Sequence, residues 1–263
     1  MSEMHSHPTI VAGIDGSEAA IRAAQWAADE ALSRSVPLRL VYVTKATHPT
    51  ADDYYADVHH GRASLERAHA VLESAGNAVK IETAIVDGPP SVALVEESEN
   101  ALLVCVGSVG IGRYAQAVLG STATGLAEKA HCPVAIIRMR DDAERMGANW
   151  IVFSVHDEPD DAVTEQTVAE ARLRHAPVLA LGDKGNRDSF DGQIEQLKIQ
   201  YPDLRIYPIA NEADVGRFLS RHDEPVQLAV IGSSEVGKLA QILGPYGHPI
   251  FHHAASSVLV MRD

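Results

Sequence analysis

Basic side chains are in short supply. The chain carries 22 lysines and arginines against 36 aspartates and glutamates, for a formal net charge of -14. A surface of that sign repels the phosphate backbone of nucleic acid and an anionic membrane face, so neither is expected as a partner. Long apolar runs are missing as well. No stretch approaches the roughly 18 apolar residues of a membrane span. The opening MSEMHSHPTIVAG has neither the basic start nor the apolar core of a signal peptide. Cysteine is limited to Cys105 and Cys132, each within or beside an apolar run. They read as buried free thiols of a reducing compartment, and the cytoplasm is the expected location. Aromatics make up only 5%, with Trp26 and Trp150 the two tryptophans. With 46% hydrophobic and 22% charged residues, the chain has the composition of a soluble globular protein packed with small side chains.

What is present is a rhythm. Five short β-rich runs occupy the first half: TIVAGI from Thr9, LRLVYV from Leu38, VKIETAIV from Val79, LLVCVG from Leu102 and VAIIR from Val134. Segments of helical spacing separate them, such as Ile21, Ala24, Ala28, Ala31 and Leu65, Ala68, Leu72, Ala75. Strands that alternate with helices and are apolar on both faces predict an α/β fold with a parallel sheet covered on both sides. The second half repeats the plan with runs from Trp150, Pro177, Leu204, Leu228 and Ser257. Two stretches repeat in letters: GSVGIGRYAQAVLG from Gly107 returns as GSSEVGKLAQILG from Gly232, and PVAIIRMRD from Pro133 returns as SVLVMRD. The period is a whole domain, as in a tandem duplication. The charged stretch from Met139 to Asn149 reads as the linker, giving domains 1–143 and 144–263.

In an open parallel sheet, ligands bind beyond the carboxyl ends of the strands, where the strand order reverses. Two loops are expected there. The first is GIDGS, Gly13 to Ser17; the second is the glycine-rich run from Gly107. Gly107 and Gly110 let the backbone approach a ribose or phosphate closely. Gly120, Ser121 and Thr122 precede the helical pattern Ala123, Leu126, Ala127, Ala130, which sets free N–H groups and two hydroxyls at a helix start, where anionic oxygens bind. Asp15 is a candidate acceptor for an adenine or ribose edge, or for a Mg2+ shared with phosphates. Asp-Gly-Ser is also ordinary turn chemistry, with Ser17 able to cap a helix. A Walker A loop is excluded because Arg113 and Tyr114 stand where lysine and hydroxyl are needed. A Rossmann fingerprint is excluded because Gly13 to Ser17 lacks its glycines.

Gly107-x2-Gly110-x9-Gly120-Ser121 resembles the nucleotide-binding pattern of the universal stress protein family. VAGIDGS from Val11 is similar to that family's opening strand and aspartate, and CPV from Cys132 is typical of its last strand. The whole chain resembles a tandem, actinobacterial type of this family. The resemblance implies two five-stranded domains of strand order 3-2-1-4-5 and ATP in the first. By the same analogy Gly13, Asp15 and the backbone at Val43 border the adenine, Gly107 meets the ribose, and Gly110, Gly120, Ser121 and Thr122 meet phosphates carrying Mg2+. It further implies a homodimer or an intramolecular pseudo-dimer, an unidentified protein partner, and a role in hypoxia or dormancy.

The second half departs from the pattern. Ser154 stands opposite Gly13 and His156 opposite Asp15; Gly232 keeps the place of Gly107, Glu235 faces Gly110, and Gly244-Pro245 replace Gly120-Ser121. Proline has no N–H to give and a carboxylate repels phosphate, so no ATP is expected there by the same mode. The thirteen histidines, His5, His7, His59, His60, His252 and His253 among them, stand at no metal-ligand spacing and read as surface residues. The stretch Thr47 to Asp57 reads as a long polar loop, either a lid or a solvated connection. Three functions follow as alternatives: a regulatory protein with ATP as signal, a slow ATPase, or a nucleotide-independent module joined through the strands at Val134 and Val258.

Overall fold

A computed structural model describes residues 8–76, 78–108, 119–138, 149–158, 160–222, 224–243 and 256–262. The described residues divide into two compact units, one ending at Arg138 and the other holding everything from residue 149 onward.

In the first unit the order is β1 (Thr9–Ile14), α1 (Glu18–Ser33), β2 (Leu38–Thr44), α2 (Ala51–Ser74), β3 (Ile81–Asp87), α3 (Pro90–Glu97), β4 (Ala101–Gly107), α4 (Ser121–Lys129) and β5 (Val134–Ile137). The strands lie in the order β3-β2-β1-β4-β5, every pair parallel. β1 and β4 lie in the middle, and Ile10, Ala12, Leu103, Val104 and Cys105 are fully buried. β3, with one neighbour, is half-exposed along its length. Helix α1 buries an alanine face, Ala19, Ala20, Ala23, Ala24, Ala27, Ala28 and Ala31, so its axis approaches the sheet closely. The approach is tight at Gly107: a Cβ there would lie 2.8 Å from Ala19 Cβ and 2.9 Å from its carbonyl carbon.

One expectation is corrected here. Thr47 to Asp57 is not a long loop, because α2 begins at Ala51. Thr50 and Asp53 form a reciprocal capping box, and Asp52 and Asp53 occupy the first turn, where carboxylates meet the positive end of the helix dipole. The acidic, polar composition that suggested a loop is the chemistry of a helix start.

The second unit runs β6 (Trp150–Ser154), α5 (Asp161–Leu173), β7 (Val178–Leu181), α6 (Arg187–Gln200), β8 (Ile206–Ile209), α7 (Val215–Arg221), β9 (Val226–Ile231), α8 (Leu239–Leu243) and β10 (Ser257–Val260). Its order is β8-β7-β6-β9-β10, again all parallel. Both units therefore have the strand order 3-2-1-4-5. The end of the first helix also repeats in detail. Buried Glu30 pairs with Arg34 and buried Glu170 with Arg174. Each helix then closes through a non-glycine residue with positive φ, Ser35 at 55° and His175 at 50°. The bonds Val36 N–H to Ala31 O (3.0 Å) and Ala176 N–H to Ala171 O (2.9 Å) complete the two turns. Among the described residues no helix is long and apolar enough to cross a membrane.

Candidate functional site

The candidate residues of the first unit gather at the carboxyl ends of β2, β1 and β4, three neighbouring strands. After β1 the chain turns at Gly16, whose φ of +86° favours glycine. Asp15 Oδ1 accepts from Ser17 N–H (2.9 Å), and Ser17 Oγ accepts from Ala20 N–H (3.1 Å), which caps α1. The turn expected from Asp-Gly-Ser is thus formed. Helix α2 braces it from the side: Arg67 donates to the Gly16 carbonyl (3.4 Å) and pairs with Glu18.

After β4, Ser108 N–H donates to Ile137 O (2.9 Å) and Gly120 N–H to Ser108 O (2.8 Å), which ties the start of α4 to the strand end. Gly120 is the N-cap, in extended conformation, with no side chain to accept the first-turn N–H groups. By contrast α1, α2, α5 and α7 start on Ser17, Thr50, Asp160 and Asp214, each of which accepts a first-turn N–H. Among the described residues helix α4 therefore presents the N–H groups around Ser121 and Thr122 without a side-chain cap, as α3 and α6 also begin without one. Beside them Ser108 Oγ is buried with no partner among the described residues. Gly110, Arg113 and Tyr114 lie outside the described residues.

At β2 the register decides which groups face the site. Leu38 N–H donates to Lys80 O on the β3 side (2.9 Å), and Pro37 O accepts from Ile10 N–H on the β1 side (3.0 Å). Alternation along the strand then turns the N–H and carbonyl of Val43 toward β1. But β1 ends at Ile14, opposite Tyr42. The Val43 carbonyl thus faces past the strand end, where the chain leaves at Asp15.

Sequence reasoning missed the residues behind Val43. Tyr42 lays its ring on Gly61 of α2, where no Cβ would fit, and stacks edge-on to His60. Its hydroxyl donates to Asp57 Oδ1 (2.8 Å). Asp57 Oδ2 also accepts from Lys45 N–H (2.9 Å) and meets His48 Nε2 (2.8 Å). Burial, the Asp57 hydrogen bond and the charges of Asp57 and Asp15 push the Tyr42 phenol well above its ordinary value. Only the Thr-x-x-Asp capping pattern at Thr50 signals, from sequence, that Asp57 sits on a helix.

Gly13 and Gly107 have packing reasons of their own. A Cβ on Gly13 would lie 2.9 Å from Leu94 Cδ1 and 3.1 Å from Val106 Cγ1, and Gly107 is pressed by Ala19. Neither adopts a positive φ.

The same place in the second unit is built differently. Ser154 Oγ donates to Ala213 O (2.5 Å), and the His156 carbonyl accepts from Gln193 (3.2 Å). Asp160 caps α5, and its Oδ2 lies 3.0 Å from where a Cβ on Gly232 would be. The Glu235 side chain is only 9% exposed. Lys238 Nζ stands 2.8 Å from Asp214 and 3.5 Å from Glu235. Burial would raise the Asp214 carboxyl, but Lys238 and the Arg217 N–H hold it below its ordinary value. A cavity of about 180 Å³ opens nearby, lined by residues that include Ser154, His156, Asp160, Thr164, Gln193 and Tyr201. Gly244, Pro245, Gly247, His5, His7, His252, His253 and residues 139–148 of the expected linker lie outside the described residues. Among the described residues no group of three or more His, Cys, Asp or Glu is placed to hold a metal ion.

Comparison with known proteins bears on the same residues. The sequence profile of the universal stress protein family matches residues 7–138. A universal stress protein of Mycobacterium tuberculosis is 55% identical over 262 residues, covering 97% of this chain and 96% of its own. A second from that organism is 35% identical over 280 residues, covering 99% and 98%. Among solved structures, a universal stress protein from Archaeoglobus fulgidus superposes with a TM-score of 0.71 at 16% identity, over 97% of this chain and 96% of that one, a likeness of fold. The family match over residues 7–138, and relatives of this identity along nearly the whole length, establish that the chain belongs to the universal stress protein family.

Proposed function

We propose that the first unit is an ATP-binding regulatory domain and that the second does not bind ATP in the same way. The observation that carries this reading is the uncapped start of α4 at Gly120, beside the carboxyl ends of β1 and β4. Its N–H groups, the hydroxyls of Ser121 and Thr122 and the backbone at Gly110 suit phosphates, Gly107 the ribose, and Gly13, Asp15 and the carbonyl of Val43 the adenine. A carbonyl accepts from the N6 amino group of adenine and is repelled by O6 of guanine. Mg2+ would arrive on the triphosphate, with Asp15 and the two hydroxyls as the oxygen donors at hand. In the second unit Asp160, Glu235 and Asp214 put negative charge where phosphate would sit, and Lys238 is engaged by two of them.

We take the domains as 1–143 and 144–263. ATP then acts as a signal: it favours one conformation, and a protein partner reads it. A role in hypoxia or dormancy rests on the family resemblance alone.

The test is to purify the chain, count bound nucleotide, and repeat with Asp15→Glu. One adenine nucleotide per chain, lost in the variant, is expected; nucleotide kept by the variant would falsify the assigned site. Steady-state turnover separates signal from enzyme. A rate near the typical ~10 s⁻¹ would make the protein an ATPase rather than a sensor.

A further inference from the structure

Beside the candidate nucleotide site lies a hydrogen-bonded cluster centred on Asp57, a residue assigned no contact with ATP. Asp57, on the second turn of α2, gathers three donors from the strand and loop ahead of it: Tyr42 Oη at 2.8 Å, Lys45 N–H at 2.9 Å and His48 Nε2 at 2.8 Å. The side chains of His48 and Asp57 are only 10% and 11% exposed. Tyr54 closes over His48 with rings edge to face, 5.3 Å between centroids. Two of these donors, Tyr42 and Lys45, flank Val43 in sequence, one residue before it and two after it, and His48 follows in the loop. Val43 has no β1 partner on one side and pairs with Val86 of β3 on the other, and Asp57 ties the residues that flank it, Tyr42 and Lys45, to α2.

We propose that Asp57 is the positioning residue of the nucleotide site: by binding Tyr42, Lys45 and His48 it fixes the Val43 carbonyl where that carbonyl selects adenine over guanine. The inference rests on the nucleotide reading above and adds to it the source of base selectivity. The second unit supports the assignment by contrast. The residue at the place of Tyr42 is Gly182, against which Phe190 of α6 lays its ring, so a ring is kept and the hydroxyl is absent. Asp183 stands at the place of Val43 and turns its carboxylate onto Gly185 N–H (3.0 Å).

The experiment measures ATP, GTP and tripolyphosphate binding, with Mg2+, to the full-length wild type and to Asp57→Ala, Asp57→Asn and Tyr42→Phe. A hydrogen bond to a carboxylate contributes enough that Asp57→Ala should weaken ATP roughly tenfold. GTP and tripolyphosphate should be unchanged, so selectivity narrows while phosphate binding stays. Asp57→Asn and Tyr42→Phe should fall between. Backbone hydrogen exchange at Lys45, measured without ligand, should quicken in Asp57→Ala. If that variant does not fold, Tyr42→Phe carries the test, since it removes one bond and keeps the ring.

Wild-type selectivity retained by a folded Asp57→Ala, or by Tyr42→Phe in its place, overturns the inference and leaves the ATP reading standing. Equal loss of ATP, GTP and tripolyphosphate also overturns it, because that pattern belongs to a general structural role. A wild-type chain that binds no adenine nucleotide overturns the ATP reading and this inference together.

Discussion

In the first unit β2 runs for seven residues, to Thr44, and carries the Val43 carbonyl past the end of β1. In the second unit β7 stops at Leu181 after four, and Asp183 begins a turn where Val43 would be. The aromatic that seals strand to helix changes sides as well: Tyr42 of the strand rests on Gly61 of α2, whereas Phe190 of α6 rests on Gly182. Volume is kept while chemistry is exchanged, since packing needs only a ring between the layers. Features far from the carboxyl ends of the strands did not drift. The buried Glu30–Arg34 and Glu170–Arg174 pairs and the two left-handed turns match position for position. Duplication preserved the frame and released the mouth of the crevice.

The comparison breaks most sharply at its two conserved glycines. Gly107→Ala drives a methyl into the backbone of Ala19 and should cost ~1–3 kcal/mol by overpacking. Gly232→Ala meets the end of the Asp160 side chain, whose other oxygen caps α5, rather than backbone, and should cost less, about 1 kcal/mol. Denaturant midpoints measure both. Equal costs would mean that the two strand ends are packed alike.

A subtler contrast lies in acid. Burial would raise Asp57, but hydrogen bonds from Lys45 N–H, His48 and Tyr42 hold it below the ordinary carboxylate value. A carboxyl depressed in the folded state contributes stability that is complete above its unfolded value, roughly pH 4, and lost as pH falls through the lower folded value. Asp214 is depressed likewise, through Lys238 and Arg217 N–H. Asp57→Asn and Asp214→Asn should each flatten the acid limb of a stability-against-pH curve. Only the first should alter the ratio of ATP to GTP affinity.

The smallest effect is expected at Lys238. Its side chain is 42% exposed, so solvent screens its pairs with Asp214 and Glu235. Lys238→Met should cost about 1 kcal/mol or less. Nucleotide stoichiometry should not change; a second ATP bound by this variant would contradict the exclusion of phosphate by the carboxylates of the second crevice.

Much of this architecture is legible in the residues. Ten apolar runs became ten strands, and apart from the half-exposed β3 and β8 they are buried on both faces, which gives the β-branched, continuous pattern read from the residues. The repeat of GSVGIGRYAQAVLG near Gly232 likewise announced two units of one strand order. The start of α2 was not legible, since ADDYYAD has the composition of a loop and becomes helical through the Thr50–Asp53 box. Nor was the exchange of Tyr42 for Phe190, which joins positions far apart in sequence through packing alone. Asp57 escaped for the same reason: its three donors come from β2 and the loop after it, and nothing local marks their convergence.

The proposed nucleotide site turns on the helix start at Gly120, where the N-cap residue has no side chain to cap α4, and one substitution separates binding from stability. Gly120 has φ of -72° and ψ of 152°, a conformation open to any residue, so Gly120→Asp can cap α4 as Asp160 caps α5. Calorimetric titration of the full chain with Mg-ATP, paired with thermal unfolding, should find one ATP per wild-type chain. In Gly120→Asp no ATP should bind, and the ligand-free fold should be as stable as wild type or gain a few tenths of a kcal/mol. Two ATP per wild-type chain, or full ATP binding by a folded Gly120→Asp, would contradict the assignment of the nucleotide to the first unit and to this helix.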